Sequence, residues 1–246
     1  KVPENLLGNL NETSVNRSHE FLNKNLNKDG YLFLKNVVAS KEVELARNEV
    51  FKKLYEINEI KDPYNEGIFS GKSDRDIFYN DRGDFWKDVS ELDSIRNITN
   101  GKILHSIFDK IFGSPSIGFD FIFLRPVANG KSTKLHCDSG FFTRKTKKVL
   151  TCWFVFTEIS LDRGPLFIIE NSHNFEDLKN QYLDFDVAIH KDRKAMINVD
   201  PIEFAKQRDS KILTAHFKPG DALIFGMYTL HGTFQNHAID NKIRLS

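Results

Sequence analysis

Apolar residues recur every three or four positions in the first half of the chain and every second position in most of the rest. Two kinds of layer are therefore expected. Phe21, Leu22 and Leu26 make a short helical stripe that stops at Asp29-Gly30, and "YLFLKNVV" after it reads as a strand. Ser40 is expected to cap a helix in which Val43, Ala46, Val50, Leu54 and Ile57 keep the spacing of one buried face. Residues 58–90 are polar, with scattered Gly and Asp, and read as long loops. Ile103, Leu104, Ile107, Phe108, Ile111 and Phe112 form a second amphipathic helix, ended by "GSP".

From Ile117 the period falls to two. "IGFDFIFLRPV", "KKVLTCWFVFTEI", "GPLFII", "KILTAHF", "DALIF" and "HGTFQ" read as strands divided by Gly or Pro-Gly turns. Short strands following helices predict a mainly β protein with flanking α, an antiparallel barrel or jelly roll with helices packed outside. The stretch between "ENSH" and "KILTAHF" is a long insertion. It holds a short helix at "DPIEFAKQ", with Asp200 as cap, Pro201 in the first helical position and Glu203 closing a capping box. Insertions of this kind are functional or mobile, and 174–210 is expected to be a lid. With no repeat or linker visible, residues 1–246 are expected to be one domain.

Composition narrows the function classes. The chain is 40% hydrophobic and 28% charged, as in soluble globular proteins, and no apolar run reaches membrane-spanning length. Lys+Arg 35 against Asp+Glu 34 leaves no field to recruit nucleic acid or an acidic membrane, so a small-molecule partner is expected. Phe is abundant at 22, suiting aromatic strands that face a core. Cys137 and Cys152 alone make no disulfide framework, and with no signal peptide visible the expected location is cytoplasmic.

Candidate chemistry starts at "LHCDSG". In a strand, His136 and Asp138 project from one face while Cys137 points away as a small buried hydrophobe. On spacing alone a His-x-Asp is weak evidence of a metal. Two features strengthen it: Ser139-Gly140 leaves room for a ligand at the strand end, and His231 stands on a later strand. Of the other histidines, His19 and His105 fall in helices, His190 in the insertion, and His173 reads as the brace of a turn. Two imidazoles and a carboxylate with open positions make the facial triad of non-heme Fe(II) oxygenases. If the chelating co-substrate is 2-oxoglutarate, its far carboxylate needs a fixed cation. Arg244, on the next strand, suits it by bidentate geometry, and Thr233, on the face of His231, adds a hydroxyl. Lys242 competes with Arg244 for that role.

The order "DGYLFLKNVV", "LHCDSG", "TCWFVFTE", "RGPLFIIENSH" and "FKPGDALIFGMYTLHGTFQN…IRLS" resembles the phytanoyl-CoA dioxygenase family of Fe(II)/2-oxoglutarate oxygenases, from about Asn16 onward. The resemblance implies a double-stranded β-helix, a cupin-like jelly roll, with N-terminal helices. It implies iron on His136, Asp138 and His231, 2-oxoglutarate on Arg244 with Thr233, and Trp153 lining the co-substrate pocket. The implied reaction uses O2 and 2-oxoglutarate to hydroxylate a small molecule, releasing succinate and CO2. Where the family has Pro-Gly before Ser-His, this chain has Glu170-Asn171. The rival readings are a cupin-like metalloenzyme without 2-oxoglutarate and a non-catalytic jelly-roll binding module. Candidate substrate residues are Phe141 and Phe142, as an apolar wall or as core packing, and Arg144, Lys145, Lys147 and Lys148, as an anion site or as a solvated hairpin. Arg163 and Tyr79 are further candidates for reaching the pocket.

Overall fold

The protein was examined as a computed structural model that describes residues 2–120, 122–142, 146, 148–192 and 195–246. The first part of the chain runs β1 (Leu7–Asn9), α1 (His19–Asp29), β2 (Tyr31–Leu34), α2 (Ser40–Glu56), α3 (Arg75–Phe78), α4 (Arg82–Ser90), α5 (Asp93–Thr99) and α6 (Lys102–Phe112). Then come β3 (Pro126–Val127), α7 (Ser139–Phe142), β4 (Leu150–Phe154), β5 (Leu166–Ile169), α8 (Glu176–Tyr182) and α9 (Pro201–Gln207). The chain closes with β6 (Ile212–Thr214), β7 (Ala222–Gly226), β8 (His231–Thr233) and β9 (Arg244–Leu245).

One sheet has the order β2-β7-β4 and is antiparallel, with Thr151 opposite Phe225 and Trp153 opposite Leu223. The other has the order β1-β6-β5-β8, in which β1 lies parallel to β6 and the rest antiparallel. β3 pairs with β9, and Phe156 N–H donates to Leu245 O at 3.1 Å, which ties that pair to the continuation of β4. His136 extends the second sheet by bridging His231 on one side and Met196 on the other.

Alternation assigns the faces. Tyr31, Phe33, Leu223, Phe225, Leu166, Ile168 and Leu213 point between the sheets and form one buried cluster with Phe217. Leu32, Leu34 and Ile224 point the other way, against Leu22 of α1 and Leu104, Ile107 and Ile111 of α6. Both faces of β2 are thus buried, which is why "YLFL" is an unbroken apolar run. Each large side chain buried here contributes roughly 1.5–3 kcal/mol. The back of the second sheet, with Phe167, Ile169 and Ile212, is covered by Leu178 and Tyr182 of α8, Phe185, and Phe204 of α9.

The amphipathic helices stand where periodicity put them. α1 ends at Gly30 (φ 78°) and α6 at Gly113 (φ 66°), both in the left-handed conformation that glycine adopts without strain. Several expectations are corrected. Residues 82–90 are helix and not loop: Asp81 caps Gly83 N at 2.6 Å, and Phe85 and Val89, one turn apart, are buried beneath a charged surface. Ser40 is the first helical residue and Ala39 the cap. The strand at "YLFLKNVV" stops at Leu34, since Asn36 has φ 49°. Among the described residues of "IGFDFIFLRPV", only Pro126–Val127 form a strand. Asp200 caps α9 as expected, but the Glu203 carboxylate bonds Lys206 at 2.9 Å rather than closing a capping box. Asn171 (φ 58°) takes the left-handed turn that Gly would otherwise supply. Among the described residues, no helix is long and apolar enough to cross a membrane.

Candidate metal centre

His136 and His231 face each other as a hydrogen-bonded antiparallel pair, each backbone N–H donating to the other's carbonyl at 2.9 Å. That pairing brings the imidazoles to a centroid separation of 4.2 Å. The expected strand at "LHCDSG" shrinks to isolated bridges at His136, and each ring is oriented by the carbonyl two residues before it: His136 Nδ1 lies 2.8 Å from Lys134 O and His231 Nδ1 lies 3.0 Å from Thr229 O. A carbonyl only accepts, so both Nδ1 atoms carry the proton and both Nε2 atoms present a lone pair. Phe225, at 4.4 Å, packs on the His231 ring. Burial, and then the neighbouring His231, hold His136 well below its ordinary pKa, so it is neutral at physiological pH.

Asp138 closes the triad. Its Oδ1 is 3.7 Å from His136 Nε2 and 3.8 Å from His231 Nε2, and one ligand atom from each of the three residues lies within 4.8 Å of the others. The chain turns into α7 directly after it, with Phe141 N–H bonded to Asp138 O at 3.0 Å. A Cβ on Gly140 would come within 2.7 Å of Phe185, so the small residue at the strand end admits the insertion rather than the ligand. Thr151 Oγ1 donates to Asp138 Oδ2 at 2.6 Å, which leaves Oδ1 as the oxygen turned to both imidazoles. Thr151 escaped the sequence reading, although its period-two relation to Trp153 on β4 puts both on the inner face. Three buried donors, two imidazole nitrogens and one oxygen on a single side, fit a divalent metal with open positions.

Arg244 is 1% exposed, on the same inner face. Its Nη1 donates to Gly164 O and its Nη2 reaches Thr233 Oγ1 at 3.5 Å, while its Nε is buried without a partner. Burial, and then the charge of Arg125, lower its pKa to about 10, so it stays cationic at neutral pH. Among the described residues no carboxylate pairs with it. A buried guanidinium without a counter-charge is costly, and the site fits an anionic occupant. Thr233 Oγ1 also accepts from Thr133 N at 2.7 Å. Lys242, the competing cation, sits at the surface 3.3 Å from Glu66.

Trp153 is half-buried and packs edge-on to Phe217 at 4.9 Å, facing the inter-sheet space. Phe141 lies 6.5 Å from the His136 ring and 6.0 Å from Phe142. Cys137 is buried on the opposite side among Leu135, Phe167 and Phe185. Arg163 pairs with Asp240 and with Lys242 O, holding the loop before β9. Tyr79 packs on Phe85 in the helical layer. Arg144, Lys145 and Lys147 lie outside the described residues. His173 Nε2, 3.0 Å from Asn27 O, braces the end of α1.

The family model described as phytanoyl-CoA dioxygenase (PhyH) matches residues 26–243. No curated protein matches by sequence. Among solved structures, the epimerase SnoN in complex with Fe3+, alpha ketoglutarate and nogalamycin RO is 16% identical with a TM-score of 0.56, covering 92% of this chain and 80% of that one. EvdO2 from Micromonospora carbonacea var. aurantiaca, complexed with 2-oxoglutarate, is 16% identical with a TM-score of 0.54 and coverages of 97% and 89%. Apo EctD from S. alaskensis is 14% identical with a TM-score of 0.58 and coverages of 98% and 78%. At these identities the likeness establishes a shared fold.

Proposed function

The chain belongs to the phytanoyl-CoA dioxygenase family and is an iron- and 2-oxoglutarate-dependent oxygenase; from that premise we propose that it hydroxylates a small molecule. The observation that carries this reading is a single inner face bearing both the convergent donors of His136, Asp138 and His231 and a buried Arg244 guanidinium whose Nε has no partner. We read residues 1–246 as one oxygenase domain, and its two sheets as the facing walls of a double-stranded β-helix.

Fe(II) with bound 2-oxoglutarate would supply dioxygen activation, coupling conversion of the keto acid to succinate and CO2 with oxidation of the substrate. The protein does the rest. His136 Nε2, His231 Nε2 and Asp138 Oδ1 would hold the metal. Thr151, bonded to Asp138 Oδ2, would leave Oδ1 as the ligating oxygen. Arg244 and the Thr233 hydroxyl take the far carboxylate of 2-oxoglutarate, and Trp153 bounds its pocket. Phe225 and the inter-sheet cluster keep water from the inner side. Asp138 is a carboxylate and not a small residue, so it would occupy the position a halide needs on a bound metal, which argues against halogenation and is consistent with hydroxylation.

The test is spectroscopic. Under anaerobic conditions, Fe(II) and 2-oxoglutarate added together should give the weak visible charge-transfer band of the chelate, and air should then release succinate. Full metal loading with no band would replace this reading with a metalloenzyme that does not use 2-oxoglutarate.

A further inference from the structure

Burial alternates along the segment before β3, with Ile122 and Leu124 less exposed than Phe123 and Arg125. Ile122 and Leu124 pack on the helical layer, so Phe123 and Arg125 face the opposite way. Val127 pairs with Arg244, and Arg125 N–H donates to Ser246 O at 2.9 Å. Arg125 and Arg244 therefore share the inner face, one exposed and the other buried. The Ser246 hydroxyl on that face is also buried without a partner. Ring contacts run from Phe123 to the metal ligands: Phe123 packs on Phe142, Phe142 on Phe141, and Phe141 on the His136 ring. Among the described residues Arg125 has no carboxylate partner; its guanidinium lies over the Phe123 ring at 5.7 Å.

Aromatic rings surround it. Phe142 is 5.9 Å from Phe123 and 5.8 Å from Phe119, and Phe141 links Phe142 to His136. Phe119 and Phe123 are 52% and 55% exposed, so the wall beside the metal site presents open ring faces. Clustered exposed rings on a soluble protein mark a binding surface. Arg125 at their edge offers a cation that favours an anionic group on a ligand lying there.

We propose that the substrate is an amphipathic oxyanion: an apolar, ring-sized body laid on Phe119, Phe123, Phe141 and Phe142, with a carboxylate or phosphate held by Arg125. This rests on the oxygenase reading, because the metal ligands define which end of the wall is reactive. Arg125 is then a specificity determinant that sets the distance from the anionic group to the oxidised carbon. Arg244 serves the co-substrate and Arg125 the substrate.

The experiment is calorimetry of the anaerobic Fe(II)–2-oxoglutarate protein with three probes: 4-phenylbutyrate, 4-phenylbutyl phosphate and 4-phenylbutanol. At least one anion should bind about tenfold more tightly than the alcohol, since a charged hydrogen bond is gained. Whichever anion is preferred identifies the headgroup. Arg125→Gln should abolish the preference and leave the 2-oxoglutarate dissociation constant, read from the visible band, within about twofold. Phe123→Ala should weaken acid and alcohol alike. The proposal is overturned if the wild type binds no probe, if it shows no anion preference, if the preference survives Arg125→Gln, or if 2-oxoglutarate affinity falls in parallel. A wild type that discriminates acid from alcohol without ever forming the band would instead sink the oxygenase reading and leave the anion site standing.

Discussion

Thr151 Oγ1 donates to Asp138 Oδ2 at 2.6 Å, across from the oxygen that faces both histidines. One hydroxyl on β4 thereby decides which face of the carboxylate is available. Thr151→Val keeps the shape and deletes the donor. Metal affinity, measured by titration with Fe(II) under anaerobic conditions, should fall about tenfold or more. Thr151→Ser should restore it, and equal affinities in all three proteins would remove Thr151 from the site.

Asp138 and Cys137 are neighbours with opposite fates. Asp138→Ala should lose most bound iron and with it succinate formation. Cys137→Ala removes only a buried sulfur from the cluster behind the sheet, and should keep iron while losing about 1–2 kcal/mol of stability. Iron content per chain and thermal melting distinguish the two. Wild-type iron in Asp138→Ala would dismiss the triad.

Arg244 should show opposite effects on stability and binding. A guanidinium buried without a counter-charge destabilises the empty protein, so Arg244→Met should melt no lower than the wild type. In the wild type, 2-oxoglutarate at about 100 times its dissociation constant should add roughly 2.7 kcal/mol. Arg244→Met should show no such gain. Thermal melts with and without 2-oxoglutarate in the presence of Mn(II) read both effects.

For the insertion, hydrogen exchange should divide it in two. α8 and α9 lie against the back of the second sheet through Leu178, Tyr182 and Phe204, and their protection should be indifferent to ligands. Met196 bridges His136 and Ile197 N–H bonds Leu135 O at 2.9 Å, so the 195–198 stretch should slow when iron and 2-oxoglutarate bind. A uniform response across 174–210 would mean that the whole insertion moves as a lid.

Much of this was legible in one dimension. Periodicity located α1, α2 and α6 because each buries one stripe on a sheet, and the Gly residues that end α1 and α6 are required by left-handed backbone. α4 was not legible, because Phe85 and Val89 sit among charged residues that occupy its exposed face and dilute the pattern. β1 was missed for a related reason: three residues paired to β6 have too short a run to show a period.

For the site, the sequence by itself determined the donor types. A His, an Asp two residues on, a later His and a trailing Arg are chemistry that survives without coordinates. Tertiary structure decided what spacing cannot encode: that Lys242 turns outward to Glu66 while Arg244 turns inward, that Thr151 from another strand holds Asp138, and that Arg125 shares a face with Arg244. The physical reason is that strand alternation is local, whereas the register that sets one strand's inner residues against another's depends on how the whole sheet packs. Arg244 is cationic in any fold; only the sheets bury it and leave its Nε without a partner.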